Sequence, residues 1–229
     1  MNDSGDLLDY YITKNNIVVS ESLSYFESEN ILDCLVHSDF DKNLMDLLML
    51  SSALEAKEEN QDRYWTKKVR TKQQEKYSFT RSDIIVREFM VLYNRILATI
   101  AKDSGIPYIY RYQDREYIST LVDDLGISIN DQTQHVVDGI YLEGKYSSIP
   151  RPHTGLNYDL YSHSGNPLRR YVDLYNQYLL HMFYFNDINF DFSDKSFEEF
   201  VEYCNQRSIE LSLFKGEYNR EARLIKKIK

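Results

Sequence analysis

Apolar positions along this chain recur mostly at helical spacing, and stretches that alternate or run β-branched are short and few. Asn16-Ile-Val-Val-Ser20 reads as a short strand, after which Ser22 opens a small helix with Leu23, Phe26 and Ile31 on one face. Asp41 is expected to cap a stronger helix. Its Leu44, Leu47, Leu48, Leu50, Ser51 and Leu54 repeat with helical period before the charged tail Glu55-Ala-Lys-Glu-Glu59. Residues 64–80 read as a β-hairpin turning around Lys72–Glu75, on the strength of their Tyr, Trp, Val, Thr and Phe content. From Ser82 the longest amphipathic pattern begins, with Ile85, Phe89, Leu92, Ile96 and Ile100 on one face and Asp103-Ser-Gly105 as its stop.

Pro107 to Tyr112 alternates and predicts a strand. Helices are expected at about 114–125, 131–143 and 167–185, with Gly126 and Gly144 ending the first two, and a closing helix runs from about 195 to 215 or beyond. The fold class that follows is α+β: helix-rich, with a few short strands and a β-hairpin. At 229 residues, with 42% hydrophobic residues, 8 glycines and 4 prolines, the chain can build a sizeable core and carries no evident linker, low-complexity stretch or repeat.

Charge narrows the function. A formal net charge of −9 argues against a protein that coats nucleic acid through a broad basic surface, while leaving room for a local basic channel. Acidic residues crowd positions 27–62 and 187–202. Lys67, Lys68, Arg70 and Lys72, then Arg169 and Arg170, then Arg220, Arg223, Lys226, Lys227 and Lys229 form separate basic stretches. Cys34 and Cys204 offer neither a disulfide framework nor a metal spacing and read as small core residues. The acidic N-terminal segment, residues 1–14, lacks the features of a signal peptide, and the best apolar helix carries Arg87, Glu88 and Arg95. The expectation is an intracellular, cytoplasmic protein without a membrane span.

The candidate chemistry lies in Tyr158-Asp-Leu-Tyr-Ser-His-Ser-Gly-Asn-Pro-Leu-Arg-Arg-Tyr-Val-Asp173. This polar, aromatic loop is expected to deliver Arg169 and Arg170 onto the first turn of a helix, where backbone N–H groups, the helix dipole and guanidinium forks favour a phosphate. Tyr158, Tyr161, Tyr171 and Tyr175 cluster around the arginines in sequence and could either stack bases or fill a core.

The same string resembles the Tyr-x-His-Phe-Thr-Ser-Pro-Ile-Arg-Arg-Tyr-x-Asp-Leu signature of the ribonuclease II/R (RNB) family of 3′→5′ exoribonucleases. Other segments resemble that family in the same order: Ser22-Leu-Ser-Tyr-Phe-Glu27, Leu47 to Glu59, Ile84-Ile-Val-Arg-Glu-Phe-Met-Val-Leu-Tyr-Asn94, Ile106-Pro-Tyr-Ile-Tyr-Arg111, His153-Thr-Gly-Leu156 and Tyr203-Cys-Asn-Gln-Arg207. Together they span roughly residues 15–225 as a partial RNB-like domain, with no cold-shock or S1 domain. The resemblance implies that Arg169 faces the scissile phosphate and Arg170 a neighbouring one, with pairing to Asp173 as the alternative for either. It implies that Tyr25 lies near the RNA 3′ end or else in a core, and that Glu88 supports the site or is an exposed helix acid. Tyr161 and His163 join the RNA-binding set, with His153 and His163 bracing the loop.

Departures from the family pattern shape the functional expectation. The family's segment Asp-Pro-x-x-Ala-x-Asp-x-Asp-Asp-Ala, which holds Mg²⁺, has no counterpart; Asp3, Asp6 and Asp9 do not reproduce its spacing. Phe-Thr-Ser is replaced by Ser164-Gly165-Asn166, and Ala-Glu-Arg-Asp by Phe214-Lys-Gly-Glu217. The expectation is a non-catalytic RNA-binding or structural subunit that works with another protein chain and single-stranded RNA, needing no cofactor and inactive as a nuclease alone. The alternative is one half of a split exoribonuclease, in which a partner supplies the aspartates and thereby Mg²⁺.

Overall fold

The computed structural model describes residues 1–34, 38–59, 80–114, 144–186 and 195–228, with only the backbone of residues 58–59, 217 and 219–228. The hairpin expected at 64–80 and the helices expected within 114–143 lie outside these residues, apart from Thr80 and Asp114. The chain divides into two compact units, residues 1–96 with 155–157, and residues 97–154 with 158–229.

In the first unit, helix α1 spans Tyr25–Asp33 and helix α2 spans Asp39–Glu59. Ser24, rather than Ser22, starts α1: its hydroxyl accepts from the Glu27 N–H while Glu27 accepts from the Ser24 N–H, a reciprocal capping box. The same device sets α2. Ser38 caps it, its N–H donating to Asp41 and its hydroxyl accepting from the Asp41 N–H, so Asp41 is the reciprocal partner and not the cap. The buried residues of α1 are Ser28 and Leu32, whereas Phe26 is exposed. On α2, Ser51 and Leu54 are buried, and Leu54 packs beside Gly5, whose φ of +76° suits glycine.

Residues 16–20 are not a strand: they form no regular element, and Ile17, Val18 and Val19 are exposed. β-branched preference alone does not make a strand without a ladder partner. Cys34 is likewise exposed, and only Cys204 is a buried thiol.

Helix α3, Arg81–Asp103, runs from the first unit into the second. Its cap is Thr80, paired reciprocally with Asp83, two residues before the expected Ser82. Arg81 then reaches back to α1, donating to the Glu29 carboxylate and to the Leu32 and Glu29 carbonyls, while the Ser82 N–H and hydroxyl donate to the other Glu29 oxygen. Ile85, Leu92 and Ile100 are buried as the periodicity predicts, joined by Leu97, Ala98 and Ala101. The helix stops where Gly105 adopts φ +66°, with Gly105 N–H on the Lys102 carbonyl and Ile106 N–H on the Ala101 carbonyl. That pair of bonds is a Schellman motif, which needs the left-handed residue that glycine supplies.

In the second unit, strand β1 (Tyr110–Tyr112) pairs antiparallel with β2 (Lys145–Ser147), placing Arg111 opposite Tyr146. β1 is thus shorter than the expected 107–112, and β2 was not anticipated. A 3₁₀ turn at Thr154–Leu156, whose Gly155 and Leu156 count with the first unit, precedes the polar loop; helix α4 spans Tyr171–Asn186, and helix α5 spans Lys195–Ile228. Ile109, Tyr146, Val172, Val201 and Cys204 form a buried cluster on which Tyr175, Phe197 and Phe200 pack.

Two asparagines fasten the helices to the sheet. The Asn176 carboxamide accepts from the Ile109 N–H at 3.0 Å and donates to the Ile109 carbonyl at 2.9 Å; Asn205 does the same for Tyr146 at 2.7 and 3.0 Å. Each side chain stands in for a missing neighbouring strand and satisfies backbone groups that burial would otherwise leave unpaired.

Candidate nucleic-acid interface

The loop before α4 is built around a buried carboxylate. Asp173 is wholly buried, accepts from the Asn166 N–H at 2.6 Å and from Arg170 Nη2 at 2.9 Å, and lies 2.8 Å from Arg170 Nε. Such a charge is tolerated inside a protein only when paired and hydrogen-bonded. The N–H groups of Arg169 and Arg170 both donate to the Asn166 carbonyl, so residues 167–169 turn and the helix begins only at Tyr171. Arg169 and Arg170 therefore precede the first helical turn instead of lying on it.

This geometry separates the two arginines. Arg170 turns inward: besides Asp173, its Nη1 lies 3.1 Å from His163 Nδ1. A guanidinium has no acceptor, so it donates and Nδ1 accepts, which fixes His163 as the Nε2–H tautomer. The Tyr146 hydroxyl sits 3.2 Å from the same Nδ1. Burial, then the charges of Arg170, Arg111, His153 and Arg169, holds the His163 pKa well below its ordinary value, keeping the ring neutral. Arg169 is exposed, and its guanidinium makes no hydrogen bond or ion pair with any described residue.

Tyr161 packs edge-on against His163 at 5.9 Å and against His153 at 5.4 Å, and both Tyr161 and Tyr158 are buried. They brace the loop and offer no open face to a base. His153 Nδ1 is buried without a hydrogen-bond partner among the described residues; burial, then the Arg111 charge, pushes its pKa down to about 4. Arg111 itself lies over the Tyr146 ring, 4.7 Å from its centroid, and its guanidinium runs so close to Gly144 that a Cβ there would stand 2.9 Å from Nε. Gly144 thus leaves room for this arginine, a role separate from the expected helix stop, whose helix lies outside the described residues. No periodic or motif signal marks Asn176 or Tyr146; Asn205 lies in the family-like segment Tyr203–Arg207 and Asp173 in the signature string, though neither motif announces the contacts they make.

The second unit therefore brings Tyr161, His163, Arg169 and Arg170 together, whereas Tyr25 and Glu88 belong to the first. Tyr25 is half exposed at the start of α1, not a core residue. Glu88 is buried, with Arg87 Nε donating to it at 2.8 Å while Arg87 also holds Glu55 of α2, so it is no exposed helix acid. Two-metal phosphodiester hydrolysis would need a cage of carboxylates. Among the described residues no three His, Cys, Asp or Glu side chains gather to hold a metal ion, so they do not fit a Mg²⁺ pair. Nor is any described helix long and apolar enough to cross a membrane.

A helix-rich α+β unit carrying this loop is a ribonuclease-type fold, similar to several solved exoribonuclease structures. RNase R from Mycoplasma genitalium, in complex with ribose-methylated single-stranded RNA, superposes with a TM-score of 0.66 at 18% identity, covering 85% of this chain and 38% of that one. An active-site mutant of the Dss1 exoribonuclease from Candida glabrata gives 0.65 at 21% identity, over 85% of this chain and 29% of that one. Yeast Ssd1, described as a pseudonuclease, gives 0.53 at 16% identity, over 80% and 28%. The chain belongs to the RNB domain family, whose family model matches residues 1–186. It spans less than two-fifths of the length of these three proteins. No curated protein matches the sequence.

Proposed function

We propose that this chain is an RNB-type RNA-binding domain that grips a phosphate of single-stranded RNA with Arg169, does not cleave by itself, and serves within a larger assembly. The observation that carries this is the division of labour between the two arginines. Asp173 and His163 occupy Arg170, and the turn this pairing stabilises presents Arg169 to solvent with its fork unpaired among the described residues. An exposed guanidinium on a braced loop suits bidentate phosphate contact, because little ordering remains to be done on binding. The single-stranded RNA bound by the similar RNase R, and the pseudonuclease description of Ssd1, support binding without cleavage as a use of this scaffold.

The exoribonuclease neighbours favour a second reading, in which another chain supplies the carboxylates and Mg²⁺ and Arg169 stabilises charge on the phosphate in trans. Anisotropy of labelled single-stranded RNA across a salt series tests the grip: Arg169→Ala should weaken binding and lower the salt slope by about one phosphate contact. Unchanged affinity and slope would refute the phosphate contact. Shortening of RNA by the purified chain with Mg²⁺, lost in Arg169→Ala, would refute the non-cleaving reading. Mass spectrometry of co-purifying proteins, followed by the same cleavage assay on the reconstituted complex, separates assembly subunit from split enzyme.

A further inference from the structure

We infer that Tyr108 and Ser164 are positioning residues for Arg169: their buried hydroxyl pair fixes the loop from which its guanidinium projects. This rests on the phosphate contact proposed for Arg169. The Tyr108 hydroxyl lies 2.6 Å from Ser164 Oγ, and both residues are wholly buried. Burial shields the bond from water, so it holds the two segments at one spacing. The pair stands where the chain departs from the family string. Ser164 occupies the position of the phenylalanine in Phe-Thr-Ser, and a serine there leaves a void unless a neighbour fills it. The Tyr108 ring reaches Ser164 and supplies the bulk that serine lacks.

Gly165 follows, with the wide backbone freedom of glycine, so order on the way to Arg169 has to come from the residues on either side. On the near side, the Ser164 carbonyl accepts from Gln177 Nε2 at 2.6 Å and the His163 carbonyl from Asn176 Nδ2 at 3.0 Å. On the far side, the Asn166 N–H donates to Asp173, and the Asn166 carbonyl accepts from the Arg169 N–H at 3.2 Å and the Arg170 N–H at 3.0 Å. Gln177, Asn176 and Asp173 all belong to α4. Tyr108 adds a tie to a different segment, the one that leads into β1, and so fixes the loop along a second direction. A loop held in this way pays little ordering entropy when Arg169 meets a phosphate; one released from Tyr108 has to be ordered on binding.

Two variants separate positioning from packing. Tyr108→Phe strips one hydroxyl and lowers the urea midpoint. Tyr108→Phe with Ser164→Ala removes both and should recover most of that loss, because paired removal of buried partners is nearly neutral. Anisotropy of labelled single-stranded RNA, read where each chain is folded, should nevertheless show about two- to tenfold weaker binding by the double variant. In an Arg169→Ala background the same double change should have no further effect, since it acts through Arg169. Amide exchange gives a readout without RNA: the Arg169 and Arg170 N–H groups should exchange faster in the double variant, while those of α3 keep their rates. Binding that recovers along with stability, equal losses with and without Arg169, or unchanged exchange at Arg169 and Arg170 overturns the positioning role and leaves the phosphate contact standing. Undiminished binding by Arg169→Ala alone refutes the phosphate contact and the inference with it. If the double variant does not fold, the same binding and exchange comparisons on Tyr108→Phe decide.

Discussion

Asn176 holds Ile109 by both of its backbone polar groups, donating to the carbonyl and accepting from the N–H, while its third bond reaches the His163 carbonyl at 3.0 Å. Both residues are fully buried. Replacing Asn176 by Ala removes three hydrogen bonds, those of one backbone donor and two backbone carbonyls. The expected cost is about 3 kcal/mol or more, read as a lower urea midpoint. Asn205→Ala breaks a matching pair of bonds at a partly exposed site, where water can replace them, and should cost roughly 1 to 2 kcal/mol. Asn176→Asp should rescue poorly, since a carboxylate cannot donate to the two carbonyls.

What the sequence disclosed and withheld has a physical pattern. The long period of α3 and its stop at Gly105 were legible because a continuous apolar stripe and an obligatory left-handed residue are local features. Helix starts were misplaced by two or three residues at Ser22, Asp41 and Ser82, since several cap-type residues compete nearby. The reciprocal pairs Ser24 with Glu27, Ser38 with Asp41, and Thr80 with Asp83 decide among them. Ile17-Val-Val19 misled because strand preference needs a partner strand. β2 is three residues long and its partner lies more than thirty residues away, so nothing local announces it. In the site, the Arg-Arg dipeptide was visible but not which arginine faces outward; that depends on Asp173 meeting Asn166 and His163 meeting Tyr146, contacts between segments without periodic pattern.

Arg169 and Arg170 should respond to substitution in opposite ways. Arg170→Ala strands the buried Asp173 carboxylate and should destabilise the fold by about 3 to 5 kcal/mol. Arg169→Ala, at an exposed side chain with no partner among the described residues, should change stability by no more than about 0.5 kcal/mol while weakening RNA binding. Urea midpoints and RNA anisotropy on both variants check the crossover. Equal loss of stability would mean that Arg169 also holds the loop.

Gly105 isolates backbone strain from packing. A Cβ there would meet nothing within 4 Å, so Gly105→Ala has only the positive φ to oppose it. The expected loss is about 1 to 2 kcal/mol, and Gly105→Asn should lose less because Asn visits that region more readily. Thermal unfolding of the two variants measures the difference.

Stability should rise with pH across the histidine range. In the folded chain His153 has its pKa pushed down to about 4 by burial first and by Arg111 second, and His163 is held low by burial and its arginine neighbours. Unfolded histidine takes up a proton near pH 6.5. Between pH 4 and 6.5 the unfolded chain thus binds more protons than the folded one, so lowering pH through that window favours unfolding. For His153 the effect is full above about pH 6.5 in the folded chain's favour, and its loss on reaching pH 4 amounts to at most about 3 kcal/mol. Urea midpoints measured from pH 4 to 7.5 should therefore climb and then level off. His153→Gln should flatten part of that climb, and His163→Gln a further part. A pH-independent midpoint in the unaltered chain would show that neither imidazole is held neutral by the buried cluster of Tyr161, Tyr146, Arg111 and Arg170.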